Sequence, residues 1–163
     1  MRELGATSRG QGSVYITGGG SAVLQGWRPN TIDIDIRMDP EPAGAFEAIP
    51  KIKRKLQLNI ELASPQDFLP PLPGWRERSE FIVLEGDIEF FHYDFVSQAL
   101  SKIERGHEKD LRDVRSMLEA GLVDESRLRE AYDAIRGDMV RYPSIDPDGV
   151  LAKIDAFFGE PDE

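Results

Sequence analysis

A chain of 163 residues with 40% apolar side chains can bury the core of one domain, so intrinsic disorder is not the default. Its formal charge of −10 argues against broad, sequence-independent nucleic-acid binding, though not against a local basic patch, and the absence of cysteine excludes disulfides and thiolate-bound zinc. Two histidines are too few for a histidine-rich metal site, no apolar run is long enough to span a bilayer, and the polar start MRELGATSRGQGS lacks the apolar stretch of a secretory signal, so a soluble cytoplasmic protein is expected.

Residues 13–17 (SVYIT) are short, β-branched and aromatic, and stop at three glycines, which predicts a buried strand. Residues 21–26 (SAVLQG) suit a short helix starting near Ser21, and the Pro and Asn of residues 27–30 mark a turn. Residues 31–38 (TIDIDIRM) alternate strictly, with Ile32, Ile34, Ile36 and Met38 on one side and Asp33, Asp35 and Arg37 on the other. That period of two predicts a half-buried strand, stopped by the DPEP that follows. Residues 43–56 read as a helix with Phe46, Ile49, Ile52 and Leu56 as its apolar face, and Pro50 should kink it or delay its start. Residues 58–63 (LNIELA) repeat the alternating strand pattern, and residues 64–75, rich in proline, form a rigid loop.

Residues 81–84 and 88–93 flank Glu85-Gly86-Asp87 as a β-hairpin. Four helices then follow: 95–105, ended by Gly106; 108–119; 124–137, with Asp124 as N-cap; and one opening at Asp146-Pro147 and reaching Phe158. The expected fold class is α+β, a small mixed sheet with helices over residues 1–94 and a helical subdomain over 95–163 packed on it.

Two features carry chemistry. Residues two apart on a strand point to the same side, about 6.5–7 Å apart, so Asp33 and Asp35 form a carboxylate pair anchored by the isoleucines between and beside them. Hard oxygen ligands suit Mg²⁺, which also takes substrate phosphates. An aspartate pair on a strand can be nothing more than its wet face, but aspartate is a poor strand former and two of them repel, which calls for a compensating cation. Gly18-Gly19-Gly20-Ser21 lies between a predicted strand and a predicted helix, where side-chain-free backbone can approach a phosphate and the amides of a helix start can receive it. On its own such a run is more often a tight turn.

Gly20-Ser21 followed by Asp33-Ile34-Asp35-Ile36 resembles the signature of the nucleotidyltransferase superfamily, and Gly18 to Ala22 is similar to its AbiEii/MNT-like branch, which includes toxin nucleotidyltransferases of bacterial toxin–antitoxin systems. The likeness extends to Ala99-Leu100-Ser101-Lys102 and to Lys109-Asp110-Leu111-Arg112-Asp113, similar to that branch's lysine helix and K-D-x-x-D helix. The resemblance implies a nucleotidyltransferase-like mixed sheet and an enzyme that uses Mg²⁺ or Mn²⁺ to transfer a nucleotide from an NTP to an acceptor hydroxyl on RNA, such as tRNA, or on protein. It further implies metal ligation by Asp33 and Asp35, phosphate contacts from Gly18, Gly19, Gly20 and Ser21, and a toxin setting with an antitoxin partner and no membrane.

Active members carry a third acid on a later strand. Glu61 in LNIEL occupies that kind of place, as general base or further metal ligand, with Asp67 as runner-up; a glutamate departs from the commoner aspartate. The resemblance also implies a triphosphate contact for Lys102, and for Asp110 a role in orienting Lys102 or binding substrate. Arg37 extends the aspartate face toward a phosphate or neutralises it. Lys51, Lys53, Arg54 and Lys55 are a basic cluster, more simply a solvated helix face, and Trp75 more simply plugs a loop than stacks a base. His92 and His107 read as structural. Two other readings stand beside the enzyme: a nucleotidyltransferase-like fold without turnover that serves as a binding or regulatory module, and a D-x-D glycosyltransferase, for which the chain is small.

Overall fold

The computed structural model describes residues 1–159. The chain folds as two compact units, Met1–Ser64 with Ser79–Tyr93, and Pro65–Arg78 with Asp94 onward. The first is built on a sheet and the second on helices, an α+β architecture. Among the described residues no helix is long and apolar enough to cross a membrane.

The sheet unit runs α1 (Arg2–Thr7), β1 (Gly12–Thr17), α2 (Gly18–Gln25), β2 (Asp33–Met38), α3 (Ala45–Leu56), β3 (Asn59–Leu62), β4 (Glu80–Glu85) and β5 (Ile88–His92). The strands form one mixed sheet in the order β3-β2-β1-β5-β4. β1 is antiparallel to β2 and parallel to β5, β2 is parallel to β3, and β4 returns antiparallel to β5 with an irregularity between Phe81 and Val83. Alternation decides the faces. Val14, Ile16, Ile36, Ile88 and Phe90 point to one side, where Leu4 of α1 and Ala45, Ala48, Ile49 and Ile52 of α3 close the core over them. The opposite face carries Tyr15 stacked on Phe91, with ring centroids 5.2 Å apart, and the acidic residues of β2 and β3.

Sequence expectations change in this unit at α3, at Pro50 and at the N-terminus. The buried stripe of α3 is Ala45, Ala48, Ile49 and Ile52, the i, i+3, i+4, i+7 pattern. Phe46 falls off that stripe and is 55% exposed, because the small alanines let the helix approach the sheet closely along their own line. Pro50 neither delays nor divides α3. The N–H it lacks would have bonded the Phe46 carbonyl, and both residues lie on the exposed side, where water can serve that carbonyl. Helix α1 was not foreseen; its sequence, RELGAT, is short and mostly polar, and it earns its place through Leu4 in the core.

In the helical unit a 3₁₀ turn (Pro65–Asp67) and α4 (Trp75–Arg78) precede α5 (Phe95–Arg105), α6 (Glu108–Glu119), α7 (Glu125–Ile135), a second 3₁₀ turn (Asp138–Arg141) and α8 (Pro147–Gly159). α6, α7, α8 and the first 3₁₀ turn pack around α5, which is buried from Phe95 to Ile103. Asp94 caps α5, accepting from the amides of Val96 and Ser97 and from the Ser97 hydroxyl, and Arg78 of α4 grips the same carboxylate through two bonds of 3.1 and 2.8 Å. The proline-rich segment 65–78 thus belongs with the helices. Leu69, Leu72 and Trp75 are buried, so Trp75 serves as a core plug, with the Arg76 guanidinium 4.6 Å over its ring.

Candidate active site

Pairing in register gathers the acids of the sheet unit. Asp33 lies beside Asn59, and Asp35 beside Glu61 on one side and Thr17 on the other. Asp33, Asp35, Asn59, Glu61 and Thr17 therefore share the face opposite the aliphatic core. Asp33 and Glu61 are exposed and Asp35 is half-buried. The Asn59 amide stands between two of the carboxylates, its Nδ2 donating to Asp33 Oδ1 at 3.1 Å and to Glu61 Oε1 at 3.0 Å. Sequence reasoning passed over Asn59, although it is the alternation partner of Glu61. A neutral amide that donates to both Asp33 and Glu61 eases the repulsion between those two carboxylates, and no such bridge spans Asp33 and Asp35.

The glycine run begins where β1 ends. Gly18 has φ +60°, and a Cβ built on it would sit 2.9 Å from Asp35 Oδ2. A Cβ on Gly19 would meet Thr31 Oγ1 at 2.6 Å, and one on Gly20 would meet Ile16 Cγ2 at 2.8 Å. The three glycines thus let the turn press against β1, β2 and the approach to β2 at once. They are also the first residues of α2, so that helix starts earlier than the sequence suggests and its first amides emerge next to Asp35. Thr17, the N-cap, makes no side-chain capping bond. Thr31 braces the other side of the turn, its Oγ1 donating to the Asp33 carbonyl at 3.0 Å and accepting from the Asp33 amide at 3.2 Å.

Ser21 is completely buried. Its hydroxyl turns inward, 2.9 Å from the Ile16 carbonyl and 2.9 Å from His92 Nδ1. The Ser21 hydroxyl is therefore committed to the interior of the unit. His92 is 6% exposed, and burial lowers its pKa, which favours the neutral ring.

Lys102 and Asp110 lie in the helical unit. The Lys102 ammonium, 4% exposed, donates to Asp110 Oδ1 at 3.0 Å and to Asp113 Oδ2 at 2.7 Å, and Arg105 reaches the same Asp110 oxygen at 2.6 Å. Burial raises the Asp110 pKa, but the Lys102 ammonium and the Arg105 guanidinium outweigh it and hold the carboxyl below its ordinary range. Asp67, the other candidate third acid, is exposed at the end of the first 3₁₀ turn of this unit. Arg37 pairs with Asp39 at 3.6 Å, Lys55 with Glu3 at 2.9 Å, and His107 is the exposed N-cap residue of α6.

Among the described residues no group of three or more His, Asp or Glu side chains is gathered tightly enough to cage a metal ion. The donor set still fits Mg²⁺, which binds through one or two carboxylates and completes its octahedron with waters and substrate phosphates. Asp33 and Asp35 offer two hard oxygen donors on one face, with the first amides of α2 alongside. An apolar cavity of about 240 Å³ lies on the other side of the sheet, where its strand residues are Val14, Ile16, Ile34, Ile36, Ile60 and Phe90. With no acid among those strand residues, it is not the place for this chemistry.

A family model described as "Nucleotidyltransferase of unknown function (DUF6036)" matches residues 1–144, which takes in the acidic strands, the glycine turn and the Lys102 cluster. No curated protein and no solved structure matches the chain.

Proposed function

The chain belongs to the DUF6036 family of nucleotidyltransferases, and from that premise we propose a metal-dependent transfer of a nucleotide from an NTP to an acceptor hydroxyl, centred on Asp33 and Asp35. The observation that carries this reading is the approach of Gly18 to Asp35: the first residue of α2 stands so close to the carboxylate that a Cβ there would push it aside. Phosphates received by the turn would lie against the acids.

In the reaction the acceptor oxygen forms a bond to the α-phosphorus, the bond to the bridging oxygen breaks, and pyrophosphate leaves. Asp33 and Asp35 would hold Mg²⁺ or Mn²⁺, which when bound supplies charge neutralisation at the phosphate oxygens. The amides of Gly18, Gly19 and Gly20, the first turn of α2, receive phosphate oxygens at its positive end, while the Ser21 amide makes the first intrahelical bond to the Thr17 carbonyl. Glu61, next to Asp35 in register and steadied by Asn59, takes the proton of the attacking hydroxyl. A triphosphate contact for Lys102, oriented by Asp110, has the resemblance alone behind it; within the helical unit the Lys102 ammonium is buried and bonded to Asp110 at 3.0 Å and to Asp113 at 2.7 Å. The AbiEii/MNT-like resemblance also motivates RNA or protein as acceptor and a toxin setting with an antitoxin partner.

The test is incorporation of labelled nucleotide into RNA and into protein, with each NTP and with Mg²⁺ or Mn²⁺. Asp33→Asn and Asp35→Asn should each lower incorporation by about 10³-fold or more while the melting temperature stays close to that of the wild type. Undiminished transfer by either variant removes that carboxylate from the reaction. One observation favours a second reading, a binding or regulatory module without turnover: among the described residues no group of three acids is gathered tightly enough to hold a metal ion. That reading predicts NTP binding without incorporation for every NTP and both acceptor classes.

A further inference from the structure

The glycine turn is tied to the sheet by a buried polar chain that the mechanism above leaves unused. In the parallel ladder of β1 and β5, Ile16 lies beside His92. The Ile16 carbonyl accepts from the Tyr93 amide at 2.8 Å and from the Ser21 hydroxyl at 2.9 Å. A serine hydroxyl has one proton, and a carbonyl can only accept, so the Ser21 proton points to Ile16. The contact of 2.9 Å between Ser21 Oγ and His92 Nδ1 then requires the proton to sit on Nδ1. The imidazole donates, the serine relays, and the carbonyl at the end of β1 receives. The depressed basicity of the buried ring agrees with a neutral imidazole.

The position of this chain matters. The Ile16 carbonyl precedes the turn by one residue, and Ser21 ends the glycine run, so the bond between them closes the loop through Gly18, Gly19 and Gly20. Those glycines have no side chains with which to hold themselves. Three successive glycines are also the most conformationally permissive residues available. Something outside the run must select one conformation, and Ser21, buried at 0% exposure and fixed by His92 from the neighbouring strand, does so.

We propose that His92 is a positioning residue for the nucleotide phosphates: by donating to Ser21 it locks the glycine turn in the conformation that aims its amides at the ligand. It touches neither nucleotide nor metal. The proposal rests on the nucleotide reading of the turn.

Two measurements test it. The first is calorimetric titration of wild type, His92→Leu, His92→Asn and Ser21→Ala with the α,β-methylene analogues of the four ribonucleoside triphosphates in Mg²⁺, well below each melting temperature. The second is amide hydrogen exchange across residues 16–22 without nucleotide. His92→Leu and Ser21→Ala should weaken the preferred analogue about tenfold and speed exchange at residues 18–21, as loss of one buried hydrogen bond dictates, while protection in α3 is unchanged. His92→Asn keeps an N–H donor at the same distance from the backbone and should restore affinity to within about threefold. A packing role alone would lower the melting temperature without separating Leu from Asn in affinity. The proposal is overturned on its own if the wild type binds an analogue and His92→Leu binds and exchanges like it, or if His92→Asn is as weak as His92→Leu. A wild type that binds none of the four analogues overturns the nucleotide reading and this proposal with it.

Discussion

Gly18 answers to two constraints, its positive φ and its contact with Asp35, and they separate under substitution. An L-residue in the left-handed region costs about 1–2 kcal/mol. The added Cβ in Gly18→Ala also displaces the Asp35 carboxylate, the far end of a side chain that can turn aside. Stability should therefore fall by no more than about 2 kcal/mol, while transfer falls by about 10²-fold, as for any misplacement of a reacting group by about 1 Å. Gly26 ends α2 with φ +93° and open space around the missing Cβ, so Gly26→Ala should show the stability loss and keep the activity. Urea denaturation beside incorporation assays reads both. Equal activity losses in the two variants would mean that backbone strain, not the carboxylate, governs the site.

Asp110 belongs to the same scale. Its carboxyl titrates below the ordinary 3.8 because Lys102 and Arg105 outweigh its burial. The unfolded chain then binds the proton more readily than the folded one. The stability this group contributes is complete above about pH 3.8 and is lost as pH falls through the lower, folded pKa. Asp110→Asn should remove about 1.5–3 kcal/mol at pH 7, because Asp113 still holds Lys102 at 2.7 Å, and should flatten the acid limb of the stability curve relative to wild type. Urea midpoints at pH 7 and at pH 3 check it, and parallel acid limbs for the two proteins would contradict the linkage. The acids of β2 were legible in the sequence because their spacing is local. The Ser21–His92 contact was not: its partners are 71 residues apart, and nothing in either neighbourhood announces the other.

At the scale of the element, strands read well from alternation and helices from caps. α5 and α6 fall where Gly106 and the apolar spacing put them. The failure at α3 is one of phase, which is set by what the helix meets. For α3, the face of two alanines and two isoleucines is the one in the core, and Phe46 lies outside it. The same geometry makes Pro50 dispensable. It sits on the exposed side of a continuous helix, removes one backbone bond and crowds the carbonyl of Phe46. Restoring the N–H in Pro50→Ala should gain up to about 3 kcal/mol in the helix, less about 0.4–1 kcal/mol for the freer unfolded chain. A net gain of about 1–2 kcal/mol in urea denaturation is expected, and a loss would place Pro50 in a packing contact that its exposure does not suggest.

At the scale of the molecule, the chain passes between the two units three times, after Ser64, after Arg78 and after Tyr93. Neither unit is a continuous stretch, so a cut at residue 94 keeps every residue of the sheet unit but carries a piece of the helical unit with it. It strands segment 65–78, whose Leu69, Leu72 and Trp75 are buried and whose Arg78 is held by the carboxylate that caps α5. Burying a side chain of that size is worth about 1.5–3 kcal/mol, so three of them stripped of their helical surroundings amount to a large share of a marginal stability. A fragment of residues 1–94 should bind a hydrophobic dye that the full chain does not, and residues 65–78 should lose amide protection while the ladder of β1, β2 and β5 keeps more of its own. If the fragment instead unfolds in one cooperative step and leaves the dye unbound, segment 65–78 finds its burial without the helices. The interleaving would then be a matter of chain path alone, and the glycine turn and acidic strands would stand on a sheet that folds by itself.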